Sequence, residues 1–375
     1  MWRGLPTRAP SGTDDSRAER LPVTRGGAGV SFVVPGSLTT LTGGYGYDRE
    51  IVAGLARRGW TVPVLELPGD FPFPSSESRA DAARALASLA PGTRVIVDGL
   101  AFGALPDEVA REAGRLTFVA LVHHPLADET GLAAGARAAL EASERRALGA
   151  ATHVVVTSRA TAARLAAYDV PSSAITVIEP GTDPAPQSRG SGGHVVELLC
   201  VATVVPRKGH DVLIRALAGL RGRPWHLTCA GGLHRDPDWS AGVQDLVRTS
   251  GFEPRVSFVG ELERPALDTR YDAADVFVLP TWYEGYGMAV AEALARGLPV
   301  VSSATGAIGD LVGADAGLLV PPGDSAALAK ALSTVIDDPA QRTRLADGAR
   351  RVRERLPSWD DAADLMARTI EGVHG

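Results

Sequence analysis

From Val30 onward the chain alternates short, continuous apolar runs with longer segments whose apolar residues recur every three or four positions. In the first half the runs are VSFVVP, WTVPVLEL, RVIVDG, LTFVALV, THVVVTS and AITVIEP. In the second they are VVELLCVA, WHLTCAG, RVSFVG, DVFVLP, LPVVSS and GLLVPP. These runs are rich in Val and Ile and apolar without alternation. They predict strands covered on both faces, the environment of a parallel sheet. The periodic segments predict helices over Asp48–Arg58, Ser76–Leu89, Asp107–Gly114, Leu140–Leu148 and Ser158–Tyr168, then near Asp211–Leu220 and over Met288–Arg296. Strand and helix in strict alternation predict an α/β, doubly wound architecture, occurring twice.

The two halves meet at Glu179–Gly193 (EPGTDPAPQSRGSGG), which is rich in Pro, Gly and Ser and has no apolar face. The expected division is a flexible tail over residues 1–28, a first domain over 29–184, a linker over 185–193, a second domain over 194–357 and a terminal helix over 358–375. The tail has no apolar core of the kind a secretory signal needs. At the other end, Pro357 stops the preceding helix and Ser358 with Asp361 forms a variant capping box. Trp359, Ala362, Ala363, Met366, Ile370 and Val373 then share one helical face that needs a surface to pack on.

Composition narrows the picture. A chain of 375 residues exceeds one ordinary core, and 45% hydrophobic residues exclude a disordered chain. A net charge of −6 gives no general attraction to nucleic acid or to anionic lipid. No apolar run reaches the length of a membrane span, so the cytoplasm is the expected location. Cys200 and Cys229 each sit in an apolar run and read as core thiols. A disulfide framework or a zinc site needs more sulfur at tighter spacing.

Ligands of open parallel sheets bind at the carboxyl ends of the strands, and the cleft between two such domains is the expected site. The loop after the first strand carries Gly43 and Gly44 before a helix expected near Asp48. The pair fits a close approach to an anion and fits an ordinary turn equally. After the fourth strand, LVHHPLADE places His123 and His124 at the cleft, each also readable as structural. Asp98 ends the third strand as a turn residue or an acceptor contact. In VVPRKGHD, Arg207 and Lys208 suit a pyrophosphate, the alternative being a solvated basic turn. The strongest segment is LPTWYEGYGMAVAEALARGLPVVSS. Glu284 is followed by Gly285, Gly287 and a helix start with open amides, and Glu292 lies eight positions on. Glu292 is flanked by Ala and Leu, so its charge needs a partner. Two carboxylates with no nearby His or third acid suit hydroxyl groups better than a metal ion, and no metal is expected.

Taken together, these segments in Val195–Val373 resemble the nucleotide-sugar domain of retaining glycosyltransferases of family four, which have the GT-B fold. The resemblance runs through VVPRKGHDVLIRAL, the Glu284–Glu292 segment, ATGAIGDLVGADAGLLVPPGD and SWDDAADLMART. The first half resembles them more loosely through GGYGYDREIVAGLARRGW, VALVHHPLA and VIEPGTD. The resemblance implies two Rossmann-like domains facing each other across a cleft, with the C-terminal helix crossing back to the first domain. It implies retaining transfer of a sugar from a nucleoside-diphosphate donor to a small soluble acceptor, by front-side displacement, without metal or other cofactor. Glu292 would hold the ribose hydroxyls and Glu284 those of the sugar. Amides near Gly285, Tyr286, Gly287 and Met288 would support sugar and diphosphate. Arg207 and Lys208 would neutralise the diphosphate, which Gly43 and Gly44 would let the first domain approach. His123 would sit near the reacting carbon, with His124 the runner-up. Tyr45, Asp48 and Asp98, with both histidines and the loop Gly69–Ser78, would serve the acceptor. UDP is the favoured base, with GDP, ADP and dTDP open. This chain departs from the family in one place: Thr203 stands where many relatives carry arginine. The same fold also serves epimerases, sugar phosphorylases, pseudo-glycosyltransferases that couple non-sugar rings, and silent nucleotide-binding homologues. The oligomeric state is not legible in the sequence.

Overall fold

In the computed structural model, which describes residues 28–373, all twelve apolar runs are strands. β1 (Ser31–Pro35), β2 (Val64–Leu67), β3 (Arg94–Asp98), β4 (Thr117–Val122), β5 (His153–Val156) and β6 (Ile175–Val177) form one sheet in the order β2-β1-β3-β4-β5-β6. β7 (Val196–Val201), β8 (Trp225–Ala230), β9 (Val256–Gly260), β10 (Val276–Leu279), β11 (Val300–Ser303) and β12 (Gly317–Val320) form a second, in the order β12-β11-β10-β7-β8-β9. Every pairing is parallel. β1, β4, β10 and β11 are buried along their whole length, as strands roofed by helices on both faces must be. Cys200 and Cys229 are register partners on β7 and β8, both free and buried. The expected flexible tail lies outside the described residues except for Ala28.

The helices depart from expectation mainly at their starts. The first runs Gly43–Arg57, five residues earlier than its apolar period predicts, so Gly43 and Gly44 lie in its first turn and not in a loop before it. The Thr42 side chain accepts the Tyr45 N–H and caps that turn, a polar signal that apolar spacing does not carry. The helix Ala134–Leu148 begins six residues before Leu140 on a turn that is mostly exposed. A short helix, Gly99–Phe102, was not expected at all. The Asp98 carboxylate caps it by accepting the Leu100 N–H at 2.8 Å. No described helix is long and apolar enough to cross a membrane.

The terminal helix Trp359–Gly372 has the Ser358–Asp361 capping box. Its apolar face joins the core of the first domain: Ala362, Met366, Ile370 and Val373 cluster with Tyr47, Ile51 and Leu55 of the first helix. Trp359 lies edge-on to Tyr47 with centroids 5.9 Å apart. Outside that face, Arg58 donates to Asp364 at 2.5 Å and to the Asp360 carbonyl at 2.8 Å. Each fully buried large apolar side chain here contributes about 1.5–3 kcal/mol. The Gly-rich stretch between the domains is docked: Ser188 N–H donates to the Arg296 carbonyl at 2.9 Å, and Gly190 N–H to that of Asp272 at 3.0 Å. The two chain crossings run side by side, with Thr182 N–H donating to the Pro357 carbonyl at 2.8 Å.

The contact of first and terminal helices allows no extra atom at Gly54, where a Cβ would stand 2.5 Å from that of Ala363. Gly54→Val should therefore force the helices apart and destabilise the protein by about 1–3 kcal/mol. Thermal unfolding measures this, and an unchanged midpoint would show that the terminal helix does not bear on the first domain.

Candidate functional site

On the first domain, the ends of β1, β3 and β4 bring three ionisable groups together. Asp48, on the first helix, is fully buried. Its Oδ1 lies 3.2 Å from His123 Nε2, and Asp98 Oδ2 lies 3.3 Å from the same nitrogen. Tyr47 abuts the imidazole edge-on at 5.4 Å. Burial opposes charge on His123, but the two carboxylates outweigh it and raise its pKa to about 10. Burial raises Asp48 in turn, to about 7. The cluster is thus an imidazolium between two carboxyl groups, with at most one net negative charge. These three are also the one group of metal-ligating type that converges among the described residues, with ligand atoms within 4.8 Å of each other.

This corrects two expectations. Asp48 has no surface with which to touch an acceptor, and Asp98 is spent on His123 and on the Gly99–Phe102 cap. The His123 ring faces inward, and its backbone carbonyl faces the second domain. That carbonyl accepts from Thr157 Oγ1 at 3.1 Å, and a Cβ on Gly285 would stand 2.1 Å from it. Only glycine permits the Glu284–Gly285 backbone to lie against the first domain there. His124 is the more accessible imidazole in kind of contact: its Nε2 lies 3.7 Å from Glu129, and burial lowers its pKa. Tyr45 is half-buried and donates its hydroxyl to the Pro35 carbonyl. Burial and the Asp98 charge raise its pKa to about 12.

On the second domain, the turn Pro206–Lys208 follows β7 and the Glu284 loop follows β10. Lys208 donates to Glu284 Oε1, and both side chains are largely buried. Burial lowers the Lys208 pKa. At Glu284 burial pushes upward, but Lys208 and Arg207 prevail and hold the carboxyl below its usual range. The Arg207 carbonyl accepts Trp282 N–H at 2.8 Å and Thr281 Oγ1 at 2.9 Å, which stitches the two loops together. Gly287 precedes the helix Met288–Ala295 with no side-chain cap, leaving the first amides open, and Met288 Sδ reaches to 3.7 Å from where a Gly43 Cβ would stand. Glu292, whose charge needs a partner, finds two within its own domain: Tyr271 donates its hydroxyl at 3.0 Å, and Arg264 lies 3.5 Å away. Burial nonetheless raises its pKa. Tyr286 is buried in the core below the loop, so it offers the site only its backbone.

The chemistry of this cleft is that of cations and amides on one wall and buried carboxylates on both. The family profile described as Glycosyl transferases group 1 matches residues 185–352, and the one described as Glycosyltransferase Family 4 matches residues 47–186. The chain belongs to this family of glycosyltransferases. It is 31% identical over 290 residues to a D-inositol 3-phosphate glycosyltransferase of Salinispora tropica, an alignment covering 67% of this chain and 60% of that one. It is 34% identical over 202 residues to a glycogen synthase of Mycobacterium tuberculosis, covering 52% and 47%. The chain thus spans about half to six tenths of the length of these relatives. Sucrose-phosphate synthase from Thermosynechococcus elongatus has the same fold, with a TM-score of 0.78 at 22% identity over 91% of this chain and 98% of that one. Anabaena HepE, solved in complex with UDP and glucose, gives 0.73 at 19% identity over 91% and 99%. The fold of the chain is therefore GT-B.

Sequence reasoning passed over Glu129 and Glu144. Glu144, 1% exposed, accepts the Leu126 N–H at 2.9 Å and so pins the loop that follows the two histidines. Its other oxygen has no partner, and burial raises its pKa to about 8. The folded chain keeps this proton where the unfolded chain has lost it. The resulting stabilisation is full below the ordinary glutamate pKa and shrinks as pH rises through about 8. Glu144→Gln should remove that dependence, so between pH 5 and 9 its melting temperature should fall less than that of the parent; equal slopes would discard the assignment.

Proposed function

We propose that this glycosyltransferase moves a sugar from a nucleoside diphosphate, UDP before other bases, to a small soluble acceptor with retention and without a metal. The observation that carries the reading is the Lys208–Glu284 pair. It sits beside the open amides of Met288–Ala295 and opposite the His123 carbonyl. The HepE structure with UDP and glucose shares the fold and supports UDP as the first donor to test. The cytoplasm is the proposed compartment, where sugar nucleotides occur and thiols such as Cys200 and Cys229 stay reduced.

On this reading the pair opens when the donor enters. Lys208 turns to the diphosphate, and Glu284 is freed to accept hydroxyl protons of the sugar. Glu292, oriented by Tyr271, takes the ribose hydroxyls, whose donor hydrogens match an acceptor-only carboxylate. The amides at Gly285–Met288 hold phosphate with the helix dipole behind them. As the sugar carbon parts from the phosphate oxygen, the bonding pair goes to the diphosphate and Lys208 stabilises the developing charge. The acceptor oxygen bonds to that carbon on the same face, and its proton passes to the departing phosphate oxygen. The acceptor approaches from the first domain, past Tyr45 and the loop Gly69–Ser78. Domain closure excludes the water that would otherwise take the sugar.

Lys208→Ala should lower kcat by about 100-fold or more, the size seen when one preorganised charge stabiliser is lost. Glu292→Ala should weaken UDP binding by about tenfold, near 1.4 kcal/mol. Calorimetry with UDP and turnover of UDP-sugars check both, and near-parental values would remove these residues from the site. EDTA should leave turnover intact. Loss with EDTA and recovery with a divalent ion would instead give Asp48, Asp98 and His123 a metal.

A further inference from the structure

Glu129 and Arg207 meet across the cleft. Glu129 follows the single turn Leu126–Asp128 of the first domain, and Arg207 lies in the turn Pro206–Lys208 of the second. Arg207 Nε stands 3.1 and 3.3 Å from the two Glu129 oxygens. Its Nη1 donates to the Tyr283 carbonyl at 2.9 Å and lies 3.7 Å from Glu284 Oε1. The guanidinium therefore grips the first domain with one edge and the Glu284 loop with the other. Its side chain is 15% exposed, too enclosed to be a solvated surface charge. Each end of the contact is braced within its own domain. Glu129 Oε1 accepts the Thr130 N–H at 3.1 Å, and neighbouring Asp128 receives both Nε and Nη2 of Arg164 at 3.0 and 2.9 Å. The Arg207 backbone is tied to Thr281 and Trp282. Burial pushes Glu129 upward, but His124 and Arg207 overcome it and hold the carboxylate ionised.

We propose that Glu129 and Arg207 are positioning residues forming an interdomain latch. Glu129 holds Arg207, and Arg207 holds the Tyr283 carbonyl. Together they set the Glu284–Gly285 backbone against the His123 carbonyl. Arg207 then serves the diphosphate only indirectly, and Lys208 is the cation that meets it. This assignment separates two adjacent basic residues into different tasks and gives Glu129 a task of its own. An ion pair made through the single Arg207 Nε–H, with the Glu129 side still 41% exposed, suits a contact that must break at each turnover, because such pairs bias an equilibrium without locking it. The geometric part stands independently of the sugar-transfer reading, on which only the kinetic part rests.

The test uses the full chain with Glu129→Gln, Arg207→Gln, Arg207→Lys and the exchange Glu129→Arg with Arg207→Glu. Spin labels on Ser88→Cys and Thr249→Cys, both exposed and one in each domain, report interdomain distance, since the native thiols are buried. In the absence of ligand, both Gln variants should lengthen or broaden the distance distribution. Arg207→Lys should fall between, because it keeps the charge and loses the fork. The exchange should recover part of the narrow distribution. UDP affinity should stay within about twofold in Glu129→Gln while kcat falls about tenfold, a split that general destabilisation does not produce. Distance distributions unchanged in both Gln variants overturn the latch. It is also overturned if Arg207→Gln loses UDP affinity about tenfold while Glu129→Gln changes neither distance nor turnover, for then Arg207 is a phosphate ligand. If the parent itself binds no UDP, the donor reading fails and the distances still decide the latch.

Discussion

A carboxylate without exposed surface must be met by a cation or a proton, and Asp48 is met by His123. That single requirement orders the cleft of this protein. With Asp98 on its other side, the imidazole is drawn inward and its backbone carbonyl is left at the domain boundary. A carbonyl there admits only a glycine opposite, and Gly285 supplies it. The neighbouring Glu284 is thereby fixed in position, and with it the place of Lys208. One buried acid on the first helix thus sets the geometry of a loop in the other domain.

The second domain uses the same logic with a buried lysine and glutamate. Lys208 and Glu284 satisfy each other, which avoids the cost of either charge standing alone at this depth. Tyr271 and Arg264 play the corresponding part for Glu292.

How much of this was legible in the sequence follows from which physical signals are local. The strands were, because burial on both faces writes an uninterrupted apolar run. The face of the terminal helix was, because Trp359, Met366 and Ile370 keep one helical period. Helix starts were not: Thr42 extends the first helix through three glycines by one hydrogen bond, a polar event that no apolar count registers. Lys208 and Glu284 were each singled out by their motifs, but their pairing was not legible, since it joins loops 76 residues apart. Glu129 was not singled out, since a glutamate in a loop becomes significant only when a turn aims it at an arginine 78 residues away. Asp48 misled for a related reason. Polar residues beside a cleft suggest contact with a ligand, and here the polar residue lies beneath the one that makes the boundary.

The terminal helix has a consequence for how such enzymes can be recombined. The first domain is contiguous in space but not along the chain: its core is finished by residues that follow the whole of the second domain. An exchange of second domains between relatives must therefore be an insertion with two junctions and cannot be a single splice. The place for both is already marked, where the strand of chain at Thr182 lies bonded to that at Pro357. Cutting at these neighbouring points keeps Trp359 and the helix it begins with the half they complete. A chimera joined once, at the glycine-rich stretch, would carry a foreign helix onto Tyr47, Ile51 and Leu55.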